Sequence, residues 1–133
     1  MDMEIRFPGG KKVEALTDDG FVIPTDQAIA DGGDGSAPAP YTLFLASIGT
    51  CAGIFVASFL QSRKIDTRDL KMRLNFSTDP GTHLVDRICI DVDLPPGVPR
   101  KYRKAIERAV SLCAVKRSME NPPRFETNVN FTE

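Results

Sequence analysis

The stretch Leu43–Leu60, LFLASIGTCAGIFVASFL, decides the fold, because its 18 residues include no charged side chain. Its length and the absence of strand alternation predict a helix, and a helix that is apolar all round predicts burial on every side. Small residues make it only moderately apolar, and the neighbouring elements each have one apolar face to cover, so we favour a core helix over a membrane span. The stripe expected on one face of this helix is Phe44, Ile48, Cys51, Phe55 and Phe59.

The composition is that of a globular protein, and 133 residues suffice for a single domain that spans residues 1–133. A formal net charge of -1 gives no overall attraction to nucleic acid or to an anionic membrane. The first residues, MDMEIRF, contain no apolar run after a basic segment, which predicts no secretory signal and a cytoplasmic location. No cysteine and histidine spacing is typical of zinc and no glycine loop is typical of phosphate, so we expect neither metal nor organic cofactor.

Alternating apolar residues predict five strands around the long helix, at residues 3–7, 12–16, 21–25, 70–76 and 85–94. Residues 100–119 have one apolar stripe, which predicts an amphipathic helix whose basic residues form a solvated face rather than a nucleic-acid site. Residues 124–131, RFETNVNF, alternate again and predict a closing strand. The expected order of elements is βββαββαβ, which is an α+β fold.

The three cysteines predict free thiols or a redox pair rather than a disulfide framework, since their number is odd and the expected compartment is reducing. Cys51 and Cys113 both lie on the inward stripe of a predicted helix. Taken singly, each is a small buried hydrophobe; as a pair on packed helices, they would be able to cycle between dithiol and disulfide. Periodicity leaves both interpretations open. Cys89 lies on the polar face of its strand, and its role is left open.

The segment PAPYTLFLASIGTC, its continuation AGIFVASFLQSRKI and the later RAVSLCAV resemble the two cysteine helices of the OsmC/Ohr family, the osmotically induced and organic hydroperoxide resistance proteins. The resemblance covers nearly the whole chain. It implies an α+β fold in which two β-sheets wrap around two central helices. It also implies an intertwined homodimer with a site at the subunit interface.

The same resemblance implies thiol-dependent reduction of organic hydroperoxides, with Cys51 as the peroxidatic cysteine and Cys113 as the resolving one. A thiolate attacks the peroxide and becomes a sulfenic acid, which the second thiol converts to a disulfide. A dithiol reductant, lipoylated protein in the best-known branch, then restores both thiols. The implied partners are therefore a second copy of the chain, an organic hydroperoxide and a dithiol.

The sequence departs from the family at the residues that activate the thiol. The arginine that follows a Gly-Gly turn is Lys11 here, and the glutamate early in the first helix is Tyr41. Cys51 itself is mid-helix, so we expect no help from a helix N-terminus. Lys11 is the first candidate for the charge partner, and Lys12, Arg124 or a basic residue of a partner subunit are the alternatives.

These departures favour a rival function of another class. A non-catalytic dimeric protein would keep the fold and bind a small hydrophobic ligand at its interface. The aromatic residues expected to line its pocket are Tyr41, Phe44 and Phe55. Loss of the arginine and glutamate favours this rival, whereas retention of both helix cysteines favours the enzyme.

Overall fold

The computed structural model of the chain describes residues 1–132 and has two compact units, Met1–Ser47 and the part of the chain that begins at Ile48. The first unit holds strands β1 (Met3–Gly9), β2 (Lys12–Thr17) and β3 (Val22–Thr25) and the start of helix α1 (Pro40–Gln61). The second unit holds the rest of α1, strands β4 (Lys71–Thr78) and β5 (Val85–Asp93), and helices α2 (Arg103–Ser111) and α3 (Ala114–Glu120). The α+β class and the five strands agree with the sequence prediction.

The first unit is built on an antiparallel sheet in the order β1-β2-β3. The alternation in MEIRF produces the predicted strand, with Ile5 opposite Ala15 in the register. Its apolar face is nevertheless open, with Phe7 77% exposed and Ile5 50% exposed. The expectation of a half-buried first strand is therefore wrong for the single chain, and β1 carries an apolar face without a cover.

A buried carboxylate orders the loop between β3 and α1. Asp26 is inaccessible to solvent and accepts hydrogen bonds from the backbone N–H groups of Gln27, Asp34 and Ser36, and from the Ser36 hydroxyl. A side chain at Gly33 would put its Cβ 2.1 Å from the Gln27 carbonyl oxygen, so only glycine fits where the loop folds back. The conformation of the loop therefore depends on the buried Asp26 carboxylate and on the lack of a side chain at Gly33.

The second unit packs the antiparallel pair β4-β5 and helix α2 with the later turns of α1. Its core centres on Val56, Leu60 and Ile106, with partly buried residues of both strands packed against them. Gly49 lets Leu74 of β4 approach α1 closely, because a Cβ there would lie 3.1 Å from a Leu74 methyl carbon. The strand pair is in register from Lys71 opposite Asp93 to Ser77 opposite Arg87.

Helix α1 is buried along one narrow stripe and not on every side, which corrects the sequence prediction. The buried residues recur every four positions, at Ile48, Ala52, Val56 and Leu60. Ile54 is 59% exposed, and Tyr41 and Phe44 are also exposed. By length and composition α1 is the one described helix apolar enough to cross a membrane, a test that core helices of soluble proteins also pass; 22% of its most apolar window is buried.

The predicted second helix is broken. A 3₁₀ turn at Arg100–Tyr102 leads into α2, and the chain leaves the helical conformation at Cys113, with φ −49° and ψ 122°, before α3 begins. The predicted closing strand at residues 124–131 is also absent from the described chain, where this segment has no strand partner. An isolated strand leaves its backbone groups unpaired, so alternation alone does not stabilise one.

We expect the stability of the fold to decrease at low pH because of the Asp26 carboxylate. Hydrogen bonds from the Ser36 hydroxyl, the Ser36 amide and the other loop amides lower its pKa to about 2. A carboxyl group whose pKa is lower in the folded than in the unfolded state stabilises the fold fully above its unfolded-state pKa, about 4. This stabilisation is lost as the pH falls towards 2. Asp26→Asn should lower the Tm at pH 7 by at least about 5 °C, measured by calorimetry.

The matched control is Asp34→Asn, which removes an exposed carboxylate 2.6 Å from the Lys12 ammonium but keeps the Asp34 amide that binds Asp26. An exposed ion pair contributes little, so its Tm should stay close to the wild-type value. Equal losses in both variants, or a pH dependence that survives in Asp26→Asn, would show that the loop does not depend on the buried carboxylate.

Candidate active site

The two helix cysteines meet in the second unit. Cys113, at the break between α2 and α3, is 1% exposed and lies with its Sγ 3.9 Å from the carbonyl oxygen of Ile48, one turn before Cys51 in α1. A hydrogen bond links the thiols of Cys51 and Cys113, which we call the thiol pair. Both are free thiols and no disulfide joins them. The structure therefore brings together the two residues that the sequence singled out.

The first turn of α3 supplies hydrogen-bond donors to the thiol pair. The Lys116 amide lies 3.5 Å from the Sγ of Cys113, which caps the helix. The amides of Val115 and Ala114 donate to the sulfur of Cys51. Sequence reasoning expected no helix N-terminus near Cys51; that is correct for α1, but it missed the start of a third helix. No glycine or proline marks the break at SLCAV, so no helix-breaking residue reveals it.

The two thiols differ in acidity because their surroundings differ. The pKa of Cys51 is lowered, first by the Val115 amide and then by the hydrogen bond from Cys113, which together outweigh its partial burial. The pKa of Cys113 is raised, first by burial, and further by the neighbouring sulfur of Cys51. Donors stabilise a thiolate and desolvation penalises it, so Cys51 is the stronger acid of the pair.

An apolar groove adjoins the thiol pair through Ile48 and Lys116, and we call it the inner groove. Its volume is about 410 Å³. The apolar residues that line it are Ile48, Val85, Ile88, Ile90, Val110 and Met119. Asp86, Lys116 and Glu120 supply its charged lining. The groove can hold an apolar molecule with a small polar group against Ile48 and Lys116, two residues that contact the Cys113 sulfur.

The candidate charge partners from the sequence are placed as follows. Lys11 is exposed in the turn between β1 and β2. Lys12 binds the carboxylate of Asp34, and Arg124 pairs with Glu126 at 2.8 Å. Each of the last two cations is therefore already engaged by a carboxylate.

The aromatic residues predicted for a ligand pocket all belong to α1. Tyr41 and Phe44 stack with their ring centres 5.8 Å apart, and Phe55 is half-buried. The inner groove is lined by other residues. Among residues 1–132, no three or more histidine, cysteine, aspartate and glutamate side chains are grouped to hold a metal ion. Cys89, on β5 opposite Asn75, is half-buried.

A sequence profile of the OsmC-like protein family matches residues 33–128. The match covers more than half of the chain and contains both members of the thiol pair, so the chain belongs to the OsmC-like protein family. Lys11 lies before the matched span. No protein with a curated description matches the sequence significantly.

Solved structures share the fold at low sequence identity. An osmotic stress induced and detoxification response protein of Psychrobacter arcticus 273-4 is 18% identical, with a TM-score of 0.74 over 89% of this chain and 87% of that one. The organic hydroperoxide resistance protein OsmC of Legionella pneumophila is 19% identical, with a TM-score of 0.53 over 90% and 89%. OhrB of Bacillus subtilis, an organic hydroperoxide resistance protein, is 17% identical, with a TM-score of 0.51 over 92% and 93%.

Alkylation should distinguish the two thiols. Because the pKa of Cys51 is lowered and that of Cys113 is raised, Cys51 should be alkylated first as the pH rises, and more than tenfold faster near pH 7.5. Cys113→Ala removes a donor to Cys51 and should shift the onset of Cys51 alkylation to higher pH. Rates at each cysteine are followed by peptide mass spectrometry.

Cys89→Ser is the control for this experiment, because Cys89 is the third thiol and is not hydrogen-bonded to the pair. Its replacement should leave the Cys51 profile unchanged. Alkylation of Cys113 before Cys51 would contradict the assigned acidities, as would a Cys51 profile that does not respond to Cys113→Ala.

Proposed function

We propose that the protein reduces organic hydroperoxides through a dithiol–disulfide cycle of Cys51 and Cys113, as part of a cytoplasmic defence against oxidative stress. The observation that carries the proposal is the hydrogen-bonded thiol pair in which Cys51 has the lowered pKa. Membership of the OsmC-like protein family supports the proposal. Structural similarity to two proteins named as organic hydroperoxide resistance proteins also supports it. The inner groove beside the pair suits an apolar peroxide.

The first step is attack by the Cys51 thiolate on the terminal oxygen of the hydroperoxide. The S–O bond forms as the O–O bond breaks, and the alkoxide takes up a proton and leaves as an alcohol. The Cys113 thiol then attacks the sulfur of the sulfenic acid, a disulfide forms and water leaves. A dithiol, of which a lipoylated protein is one form, reduces the disulfide by exchange and completes the cycle.

In this proposal the amides of α3 replace the family arginine as the group that activates Cys51. Two backbone donors and the Cys113 thiol converge on the sulfur, and charge-assisted hydrogen bonds are the stronger kind. Lys11 stays the alternative partner that the sequence predicts. Lys11→Ala should lower the rate of peroxide reaction less than twofold if the amides suffice, and a tenfold loss would transfer the role to Lys11.

The second candidate is a non-catalytic protein that binds a small hydrophobic ligand. The inner groove favours it, since its apolar lining would hold such a ligand without any chemistry. Replacement of the family arginine and glutamate by Lys11 and Tyr41 also favours it. The reactivity of Cys51 separates the two functions, because a binding protein needs no ionised thiol.

Peroxide consumption tests the enzyme directly. The purified protein with cumene hydroperoxide and a dithiol should turn over, and Cys51→Ser should lower the rate at least about 1,000-fold because the nucleophile is lost. Cys113→Ser should still consume one equivalent of peroxide and then stop, with Cys51 over-oxidised. The measurements are a ferrous-iron assay for remaining peroxide and intact-protein mass spectrometry.

Cys89→Ser should turn over at the wild-type rate and serves as the matched cysteine control. A wild-type protein that consumes no peroxide with any dithiol, and whose Cys51 titrates at or above about 8.5 as a free thiol does, would leave the binding protein as the function.

We also propose that the working form is an intertwined homodimer. The apolar surface that one chain leaves open supports it: Ile54 on α1 is 59% exposed, Phe7 on β1 is 77% exposed, and Phe125 in the C-terminal segment is 86% exposed. Large apolar side chains exposed on several elements are typical of a chain that buries them against a partner. The C-terminal segment, which alternates as a strand does but has no strand partner in the described chain, would gain one in a second copy.

Light scattering at micromolar concentration should give the mass of a dimer, and Ile54→Asp should shift it to a monomer because a charge on α1 opposes burial. Leu84→Asp is the matched control, since Leu84 is 58% exposed but lies in the β4–β5 turn. A folded wild-type monomer, or a dimer equally sensitive to both variants, would rule out α1 as the interface.

A further inference from the structure

The buried position of Cys113 poses a problem for the cycle. Cys113 is 1% exposed, and a disulfide formed there has to be reached by the dithiol that reduces it. Thiol–disulfide exchange needs a nearly direct approach of the attacking sulfur, so access limits the rate. Some part of the chain must move away once the thiol pair is oxidised.

Helix α3 is the part that the thiols hold in place. The sulfur of Cys113 accepts from the Lys116 amide, and the sulfur of Cys51 accepts from the amides of Ala114 and Val115. These three amides belong to the first turn of the helix, where no backbone carbonyl of the same helix is available to them. Cys113 is thus the N-terminal cap of α3, and Cys51 lies beside it against the same turn.

Little else in the described chain holds α3 together. It has seven residues, none of them buried, and isolated helices of this length are marginal in water. The partly exposed ion pair Lys116–Glu120, with its charged atoms 4.0 Å apart, adds little. Helix α2 differs, because Ile106 and Ala109 anchor it in the core. The break at Cys113 therefore separates a firmly packed helix from one that depends on its cap.

We propose that formation of the Cys51–Cys113 disulfide uncaps α3 and unwinds Ala114–Glu120, which opens the oxidised pair to its dithiol reductant. The inference rests on the proposed function for the oxidant, an organic hydroperoxide. Cys51 takes the peroxide oxygen and becomes a sulfenic acid; the Cys113 sulfur then displaces water from it, and two thiols have lost two electrons to the peroxide. The dithiol then reduces the disulfide to two thiols and is itself oxidised, and Cys113 caps α3 again.

The loss of the cap follows from where the sulfur atoms must go. To bond with Cys51, the Cys113 sulfur has to leave its position against the Lys116 amide and the Ile48 carbonyl. A neutral disulfide sulfur is also a poorer acceptor than a thiolate, so the amides of Ala114 and Val115 lose their charge-assisted partner. All three amide contacts weaken in the same step.

Hydrogen exchange on the full-length protein tests the switch. Amides of residues 116–120 should exchange at least tenfold faster in the oxidised protein than in the reduced one, while those of residues 107–111 change less than twofold. Trypsin, which cleaves after Lys116 and Arg117, should cut the oxidised form faster at these sites. Cys51→Ser treated with the same oxidant should show neither change, and Cys89→Ser should show both.

Two oxidants separate the switch from the proposed function. One sample is oxidised with cumene hydroperoxide and another with diamide, and the disulfide is located by peptide mapping in each. If only diamide forms the Cys51–Cys113 bond and α3 is then released, the peroxidase proposal fails and the switch stands. A mapped disulfide with α3 still protected overturns the switch, as does the absence of that disulfide under both oxidants.

A pair of variants tests the cap without oxidation. Cys113→Ala removes the acceptor and should speed exchange at residues 116–120 at least threefold in the reduced protein. Cys113→Ser restores an oxygen acceptor of a kind that caps helices well, and should return exchange to within twofold of the wild type. Protection that is unchanged in Cys113→Ala, or lost equally in both variants, overturns the role of Cys113 as the cap.

Discussion

Hydrogen bonds between two sulfur atoms and the first turn of a short helix are the interaction on which the site depends. Contacts in this turn cap α3 and lower the pKa of Cys51. The stabilisation is reciprocal, because amides that favour the thiolate are themselves better satisfied when the thiol ionises. The stability of α3 and the acidity of the Cys51 thiol therefore depend on the same contacts.

Packing around α1 makes those contacts possible. The buried stripe of α1 is formed by small and branched side chains, and Gly49 admits Leu74 of β4 where a larger residue would collide with it. The strand pair packs with α1 and α2 around Val56, Leu60 and Ile106. Cys113, two residues after the end of α2, lies against the Ile48 carbonyl. Truncating Ile106 to alanine is expected to lower the free energy of unfolding by about 2–5 kcal/mol. The core therefore contributes strongly to holding Cys113 close to α1.

The sequence predicted features that local pattern controls and missed those that depend on distant or absent partners. Alternation located the strands, and the uncharged run located α1, because periodicity reflects which side chains share a face. Cys113 is buried as predicted, although it lies at the break between two helices, whereas Cys51 is half-buried beside the buried stripe of α1. The break at Cys113 was missed, because no glycine or proline marks it and the cap of α3 is a cysteine side chain, which is not a typical capping residue. The closing strand does not form in the single described chain, since alternation specifies a face but not a neighbour.

The sequence resemblance implies that Lys11 stands where the family has an arginine, and the proposed amide activation gives this difference a physical meaning. A cation acts on a thiolate through a field that salt screens over about 10 Å at 0.1 M, and it needs a held geometry to be effective. Backbone amides act only at contact distance, are fixed by the helix that carries them, and are nearly insensitive to salt. A site activated by amides would therefore tolerate loss of the arginine. The reactivity of its thiol would instead depend on whether α3 is folded. On the proposed mechanism, the acidity of Cys51 lasts only as long as α3 stays folded, and any event that unwinds α3 would raise the pKa of the thiol again.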